Sequence, residues 1–304
     1  MTKSTFLNKT QITTWSLCIL LTATLGSCSL NDAFLNPEYK FEHKVNALKK
    51  ADKNYEVNVI LDSNNKPTFV NDSNRVLTLD YDVKVVRFKS TNNNLLYGWE
   101  ITPKYNYNGS TILLCHGNAG DVIANHYAAI PLVKRGFKVF IFDYSGFGLS
   151  EGKATRGNVK KDGLAALDYV LKNKDTTLTK KIFVYGQSLG GHLAPVIAVK
   201  RENEIHGLII EGAFSSHKDI SHHYSGYKGR LFTAEKYSGK KAIKQFHKPV
   251  LIIHSTEDTR VPYFMGETLY ANANEPKKLL KIKKCHVCGI FYYPDKIVKM
   301  ILEM

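Results

Sequence analysis

From about residue 55 to the C-terminus, short apolar runs alternate with longer segments in which apolar residues recur every three or four positions. The first runs, at 55–61, 82–88 and 95–101, are β-rich and separated by Asn- and Ser-rich turns, which predicts hairpin strands and an antiparallel start to a sheet. Six further runs, at 110–115, 137–142, 181–185, 207–210, 250–254 and 278–282, are mostly apolar. Helical periodicity fills 122–135, 158–172 and 189–200, and a terminal helix is predicted at 294–303. Strands that are apolar on both sides need cover on both, so the pattern predicts an α/β protein with a mostly parallel central sheet and helices on both faces. Reactive groups then belong in the loops that leave the carboxyl ends of the strands. The stretch 213–245, rich in Ser, His, Tyr and Lys, breaks the rhythm and predicts a small cap over those loops. Phe214, Tyr224, Tyr227 and Phe232 in it suit either the lining of an acyl pocket or a small core of the cap itself.

The first 54 residues follow a different logic. Lys3 and Lys9 precede an uncharged, largely apolar stretch at 15–25, too short to span a bilayer and typical of export signals. It ends Leu25-Gly26-Ser27-Cys28, which resembles the bacterial lipobox, where the cysteine is lipidated and becomes the new N-terminus. The chain is therefore expected to divide into a lipoprotein signal peptide at 1–27, a polar tether at 28–54 and one globular domain at 55–304. Acyl chains on Cys28 would anchor it to a bacterial membrane in the cell envelope. Ser29 in place of Asp after the cysteine favours the outer membrane under the sorting rule that this resemblance brings.

Composition adds limits. A chain of 304 residues with 43% hydrophobic content supplies one sizeable core and no second domain of its own. Five cysteines, irregularly placed, do not make a disulfide scaffold, so the core carries stability. The net charge of +15 comes from dispersed lysines and reads first as an ordinary solvated basic surface, with attraction to anionic lipid or polysaccharide as the alternative. No basic helix, zinc-finger spacing or base-stacking motif accompanies it, which speaks against nucleic acid. Nothing specifies a protein partner.

The candidate chemistry begins at 181–185, a buried-strand sequence that runs into Gly186-Gln187-Ser188-Leu189-Gly190 and then a helical segment. That is the G-x-S-x-G pattern in a strand–turn–helix setting, which exposes the serine hydroxyl at a helix N-terminus. A serine hydroxyl is a weak nucleophile and needs a base oriented by an acid. Asp258 follows the strand at 250–254 and is the expected acid, with Glu257 beside it as rival. His286 follows the strand at 278–282 and is the expected base. Two backbone donors must face the developing oxyanion. The candidates are Leu189, next to the serine, and Asn118 in the turn His116-Gly117-Asn118-Ala119-Gly120. His116 itself suits the support of that turn. Cys285 and Cys288 bracket the histidine, and their spacing is compatible with unpaired thiols, a disulfide or a metal site, although no second ligand pair stands at zinc spacing.

Taken in order, residues 116–120, Asp143 to Gly152, the turn 186–191, Glu211 to Ser216 and Asp258-x-x-Val261-Pro262 resemble the α/β-hydrolase-domain serine esterases and their bacterial relatives of serine aminopeptidase and lysophospholipase type. The likeness runs from about residue 83 to the C-terminus. It implies the α/β-hydrolase fold and a serine hydrolase, with the triad Ser188, Asp258 and His286 and with no cofactor or metal. Carboxylic esters, thioesters or lysophospholipids are the expected substrates; the alternatives are an aminopeptidase or amidase with the same triad, or a silent lipoprotein that binds an envelope component. Two positions depart from the family pattern, which usually has glycine where Ser255 stands, and a glycine before and Asn or Asp after the histidine, where this chain has Cys285 and Val287.

Overall fold

A computed structural model describes residues 35, 57–175 and 178–304. The expected signal peptide, Cys28 and nearly all of the tether lie outside the described residues. Among the described residues no helix is long and apolar enough to cross a membrane.

An eight-stranded sheet is built from β3 (Tyr81–Lys89), β4 (Leu95–Pro103), β5 (Ser110–Cys115), β6 (Lys138–Phe142), β7 (Lys181–Gln187), β8 (Gly207–Glu211), β9 (Val250–Ser255) and β10 (Lys277–Ile282). Their spatial order is β10-β9-β8-β7-β5-β6-β4-β3. The six strands from β10 to β6 pair in parallel, and β4 runs antiparallel to both β6 and β3. Five of the six apolar runs are thus strands buried on both faces, β5 to β9, while the sixth is the edge strand β10, which leaves Lys278 and Lys281 exposed. Along β5, Leu113 and Cys115 enter one core while Ile112 and Leu114 enter the other, as alternation requires. Each such buried Leu or Ile contributes roughly 1.5–3 kcal/mol relative to exposure.

One face is covered by α3 (Arg156–Lys172), α4 (Leu189–Ala198) and α7 (Tyr263–Asn272), through Val159, Leu167, Leu193, Ile197, Met265 and Leu269. The other carries α1 (Val122–Asn125), α2 (Ile130–Val133), α8 (Gly289–Tyr292) and α9 (Pro294–Leu302), through Val122, Leu132, Ile290, Ile297 and Ile301. The single helix expected over 122–135 is broken into α1, a 3-10 turn at His126–Ala128 and α2, with Pro131 in the first turn of α2. The run 55–61 does not open the main sheet. Its β1 (Asn58–Leu61) pairs with β2 (Pro67–Val70) as a separate antiparallel ribbon, and Val59 and Phe69 pack into the core that holds Trp99.

The stretch 213–245 divides in two. Its first half is α5 (His217–Phe232), kinked where Ser225 and Gly226 leave helical geometry, with Gly226 at φ 60°. Its second half includes α6 (Gly239–Ala242), which precedes β9. Asp219 on α5 joins the two: it accepts hydrogen bonds from Lys240 Nζ at 2.5 Å, Ser215 Oγ at 2.7 Å and Arg230 at 2.9 Å. Burial opposes ionisation of Asp219, but the Lys240 ammonium and the Ser215 and Ser216 donors outweigh it and bring the carboxyl down to about 2. A carboxyl depressed in the folded state stabilises fully above its ordinary 3.8 and loses that contribution as pH falls through its folded value. Asp219→Asn is therefore expected to lower Tm by a few degrees at pH 7, and the gap to wild type should close as melts are repeated toward pH 2. A gap that persists unchanged in acid would mean that the carboxylate acts by shape rather than charge.

Candidate active site

Every predicted site residue of the globular domain lies at the carboxyl end of a parallel strand. β7 ends at Gln187, and Ser188 turns the chain into α4 with φ 52° and ψ −112°, a conformation that only a tightly held turn imposes on serine. The two glycines flanking it are required by contact. A Cβ on Gly186 would lie 2.2 Å from the Gly190 carbonyl oxygen, and one on Gly190 would lie 2.0 Å from that of Cys115. The turn is anchored from the next strand, since Ser188 N–H donates to the Glu211 carbonyl at 2.9 Å.

Ser188 opens into a cleft of about 510 Å³ whose lining includes Leu189, Asn118, His286, Phe214, Ile220 and Tyr224. His286, following β10, places Nδ1 2.7 Å from Asp258 Oδ2, and the Asp258 side chain is fully buried. The other oxygen of Asp258 accepts the backbone N–H groups of Arg260 at 2.9 Å and Val261 at 2.8 Å. Burial works against the charge on Asp258, but the bond from His286 and those two N–H groups outweigh it and hold the carboxyl below its ordinary range. Glu257, the rival acid, is exposed and makes no bond to the imidazole.

The turn 116–120 stands over the serine: a Cβ on Gly117 would lie 3.6 Å from the Ser188 Cβ. Leu189 and Asn118 thus border the same cleft from α4 and from the loop after β5. His116 faces away from it. Its Nδ1 contacts its neighbour's carbonyl, Gly117 O, at 2.8 Å, Tyr144 donates to its backbone carbonyl at 3.0 Å, and burial lowers its pKa to about 4. A neutral histidine bonded to its own turn is a support for that turn.

The serine aminopeptidase S33 family, Hydrolase_4, matches residues 108–232. The YfhR protein of Escherichia coli O157:H7 is 32% identical over 234 residues, an alignment covering 73% of this chain and 82% of YfhR. The chain belongs to this family of α/β hydrolases. The esterase Pf2001 of Pyrococcus furiosus shares the fold with a TM-score of 0.61 at 23% identity, over 73% of this chain and 90% of that one. Est1E of Butyrivibrio proteoclasticus, solved with ferulic acid bound, gives a TM-score of 0.60 at 19% identity over 72% of this chain and 98% of its own.

Two departures from the usual hydrolase pattern acquire physical meaning in the structure. Val287, directly after the histidine, has φ 46°, in the left-handed region where a β-branched residue is strained by about 1–2 kcal/mol. Asn or Asp, usual in the family at this place, would sit there with less strain. Ser255, where a glycine is usual, ties the acid loop to the histidine loop: its Oγ donates to the Lys284 carbonyl and accepts from Lys284 N–H and Glu257 N–H, both at 3.1 Å.

Glu211, near the site, has a role that the local sequence pattern does not reveal. Buried at the end of β8, it accepts from Tyr185 Oη at 2.6 Å, Gln187 Nε2 at 2.9 Å and Gly289 N–H at 2.5 Å. It thereby links the strand before the serine to the helix start that follows the histidine. Cys285 and Cys288 are free thiols in the structure, and Cys288 Sγ donates to the Cys285 carbonyl at 2.8 Å. In the stretch 213–245, Phe214 and Tyr224 line the cleft, whereas Tyr227 and Phe232 are exposed and form neither pocket nor core. Both follow the kink at Gly226, which redirects the second half of α5.

Proposed function

We propose that this hydrolase cleaves carboxylic esters through an acyl-enzyme on Ser188, with His286 as base and Asp258 as the residue that orients it. One observation carries the reading: the serine of a strained strand-to-helix turn shares a cleft with an imidazole whose far nitrogen is bound at 2.7 Å by a buried carboxylate.

In this reading Asp258 keeps the proton on His286 Nδ1, which leaves Nε2 with a lone pair for the Ser188 proton. Ser188 Oγ adds to the ester carbonyl, and the N–H groups of Leu189 and Asn118 meet the negative charge that develops on oxygen. His286 then returns the proton to the departing alcohol, and water repeats the cycle on the acyl-enzyme. Phe214, Ile220 and Val261 give the cleft apolar walls suited to an acyl chain. The chemistry needs no cofactor.

The test pairs p-nitrophenyl esters of increasing chain length with aminoacyl p-nitroanilides, alongside labelling by a fluorophosphonate. Ester turnover well above anilide turnover, with a label on Ser188, is the expected result. Anilide turnover above ester turnover would replace the esterase by a peptidase with the same triad. A folded protein that takes no label would remove the enzyme reading altogether.

A further inference from the structure

Outside the lining of the cleft, three donors of metal-binding type come together. One ligand atom each from His192, His217 and Glu235 lie within 4.8 Å of one another. Both histidines are buried and Glu235 is largely so. The residues come from three segments: the first turns of α4, the N-terminus of α5, and the loop between α5 and α6.

We propose that His192, His217 and Glu235 form a structural site for a late divalent metal ion, Zn²⁺ by preference, that staples the cap helix α5 to the helix carrying Ser188. Two imidazoles and a carboxylate, with room for a fourth ligand, are a donor set of zinc type. The buried Nε2 of His192 makes no hydrogen bond, an unusual position for a polar atom so far from water. Its Nδ1 stands between the Phe214 carbonyl at 3.1 Å and the Gly239 N–H at 3.3 Å; in the tautomer that donates to Phe214, the ring is oriented as a metal-ligating histidine normally is, with Nε2 left as the lone-pair donor. Glu235 is oriented as well, since its two oxygens accept the N–H groups of His217 at 3.1 Å and Lys218 at 3.3 Å.

The spacing fits. Tetrahedral zinc with bonds of about 2.0–2.1 Å separates its donors by about 3.4 Å. His217 Nδ1 and Glu235 Oε1 already stand 3.4 Å apart, the separation such a site needs. None of the three residues lines the catalytic cleft, so the ion holds structure rather than substrate. What it would hold is the cleft wall, because Ile220 and Tyr224 on α5 line the cleft and Phe214, which lines it too, stacks on His192 at 4.3 Å between ring centres.

The experiment is zinc titration of the chelator-treated protein followed by calorimetry, elemental analysis and thermal melts, with Co²⁺ as a visible probe of four-coordinate geometry. Wild type is expected to retain one equivalent of Zn²⁺ and, at a hundredfold excess over Kd, to gain about 5–10 °C in Tm. Glu235→Gln, which keeps the side chain's shape, should weaken binding at least tenfold and lose the cobalt spectrum. Alanine at both His222 and His223, exposed histidines on the same helix, should leave the equivalent in place. A wild-type protein that takes up no zinc and shows no Tm shift would mean the pocket holds a water molecule only, and the proposal fails. It fails equally if Glu235→Gln and His217→Ala both bind zinc as wild type does. Fluorophosphonate labelling of Ser188 is scored separately, so loss of the metal site leaves the esterase reading standing.

Discussion

Ser188→Ala is expected to lower kcat on p-nitrophenyl esters by about 10⁴- to 10⁶-fold while Tm stays within a few degrees of wild type. The two halves of that expectation have different origins. The substitution removes only Oγ, and with it the proposed covalent intermediate. The backbone at residue 188 keeps φ 52° because neighbouring contacts impose it: Gly186 and Gly190 sit so close to backbone oxygens that the turn has no looser form, and the N–H of residue 188 remains bonded to Glu211. Alanine carries the same Cβ as serine and meets the same strain, so stability changes little. The rate that survives is the part supplied by the oxyanion donors and by substrate positioning, which in serine hydrolases leaves about 10³- to 10⁴-fold over water. Steady-state kinetics and a thermal melt on one preparation decide the matter. A variant that retains kcat within tenfold of wild type would show that another group makes the acyl bond, and the assignment of Ser188 would have to be abandoned.

The sheet was legible because strands covered on both faces must be apolar throughout, and such runs stand out against Lys-rich helices. The site was legible to the same degree, since the turn after β7 and the loops after β9 and β10 follow from strand ends. Other features depend on distance in space that local pattern does not encode. The helix α7 has no clear amphipathic stripe: Met265 and Leu269 are its buried large residues, and Gly266 is there because His254 packs against it, with 2.5 Å from a Cβ to Nδ1. The ribbon strand β2 starts on a proline and is four residues long, too little for a period to show. Glu211 reads as one more polar residue at a strand end until the strand order brings Gly289, 78 positions later, onto its carboxylate. Ser255 likewise finds Lys284 only once β9 and β10 lie side by side. The histidine at 116 is the converse case, chemically suggestive in sequence yet buried and neutral in the fold.

Asp258→Asn should cost about 10⁴-fold in kcat with the fold intact, and the reason lies in which oxygen does what. One oxygen of Asp258 already accepts two backbone N–H groups, from Arg260 and Val261, and the other faces His286 Nδ1 at 2.7 Å. An asparagine must keep its carbonyl oxygen toward the two N–H donors, because turning its NH₂ there would set donor against donor twice. The NH₂ is then aimed at His286 Nδ1, which can respond only by becoming an acceptor. Its single proton moves to Nε2, the nitrogen proposed to take the Ser188 proton, and the base is lost although every heavy atom stays in place. His254 does not rescue it, since its Nε2 lies 2.8 Å from the Val261 carbonyl and burial keeps it neutral. The expected signature is a large fall in kcat with KM nearly unchanged, partial recovery as pH is raised and hydroxide takes over as base, and a Tm close to wild type. Asp258→Asn with kcat close to wild type would transfer the orienting role to another group, and Glu257, one residue away and solvent-exposed, would be the next to substitute.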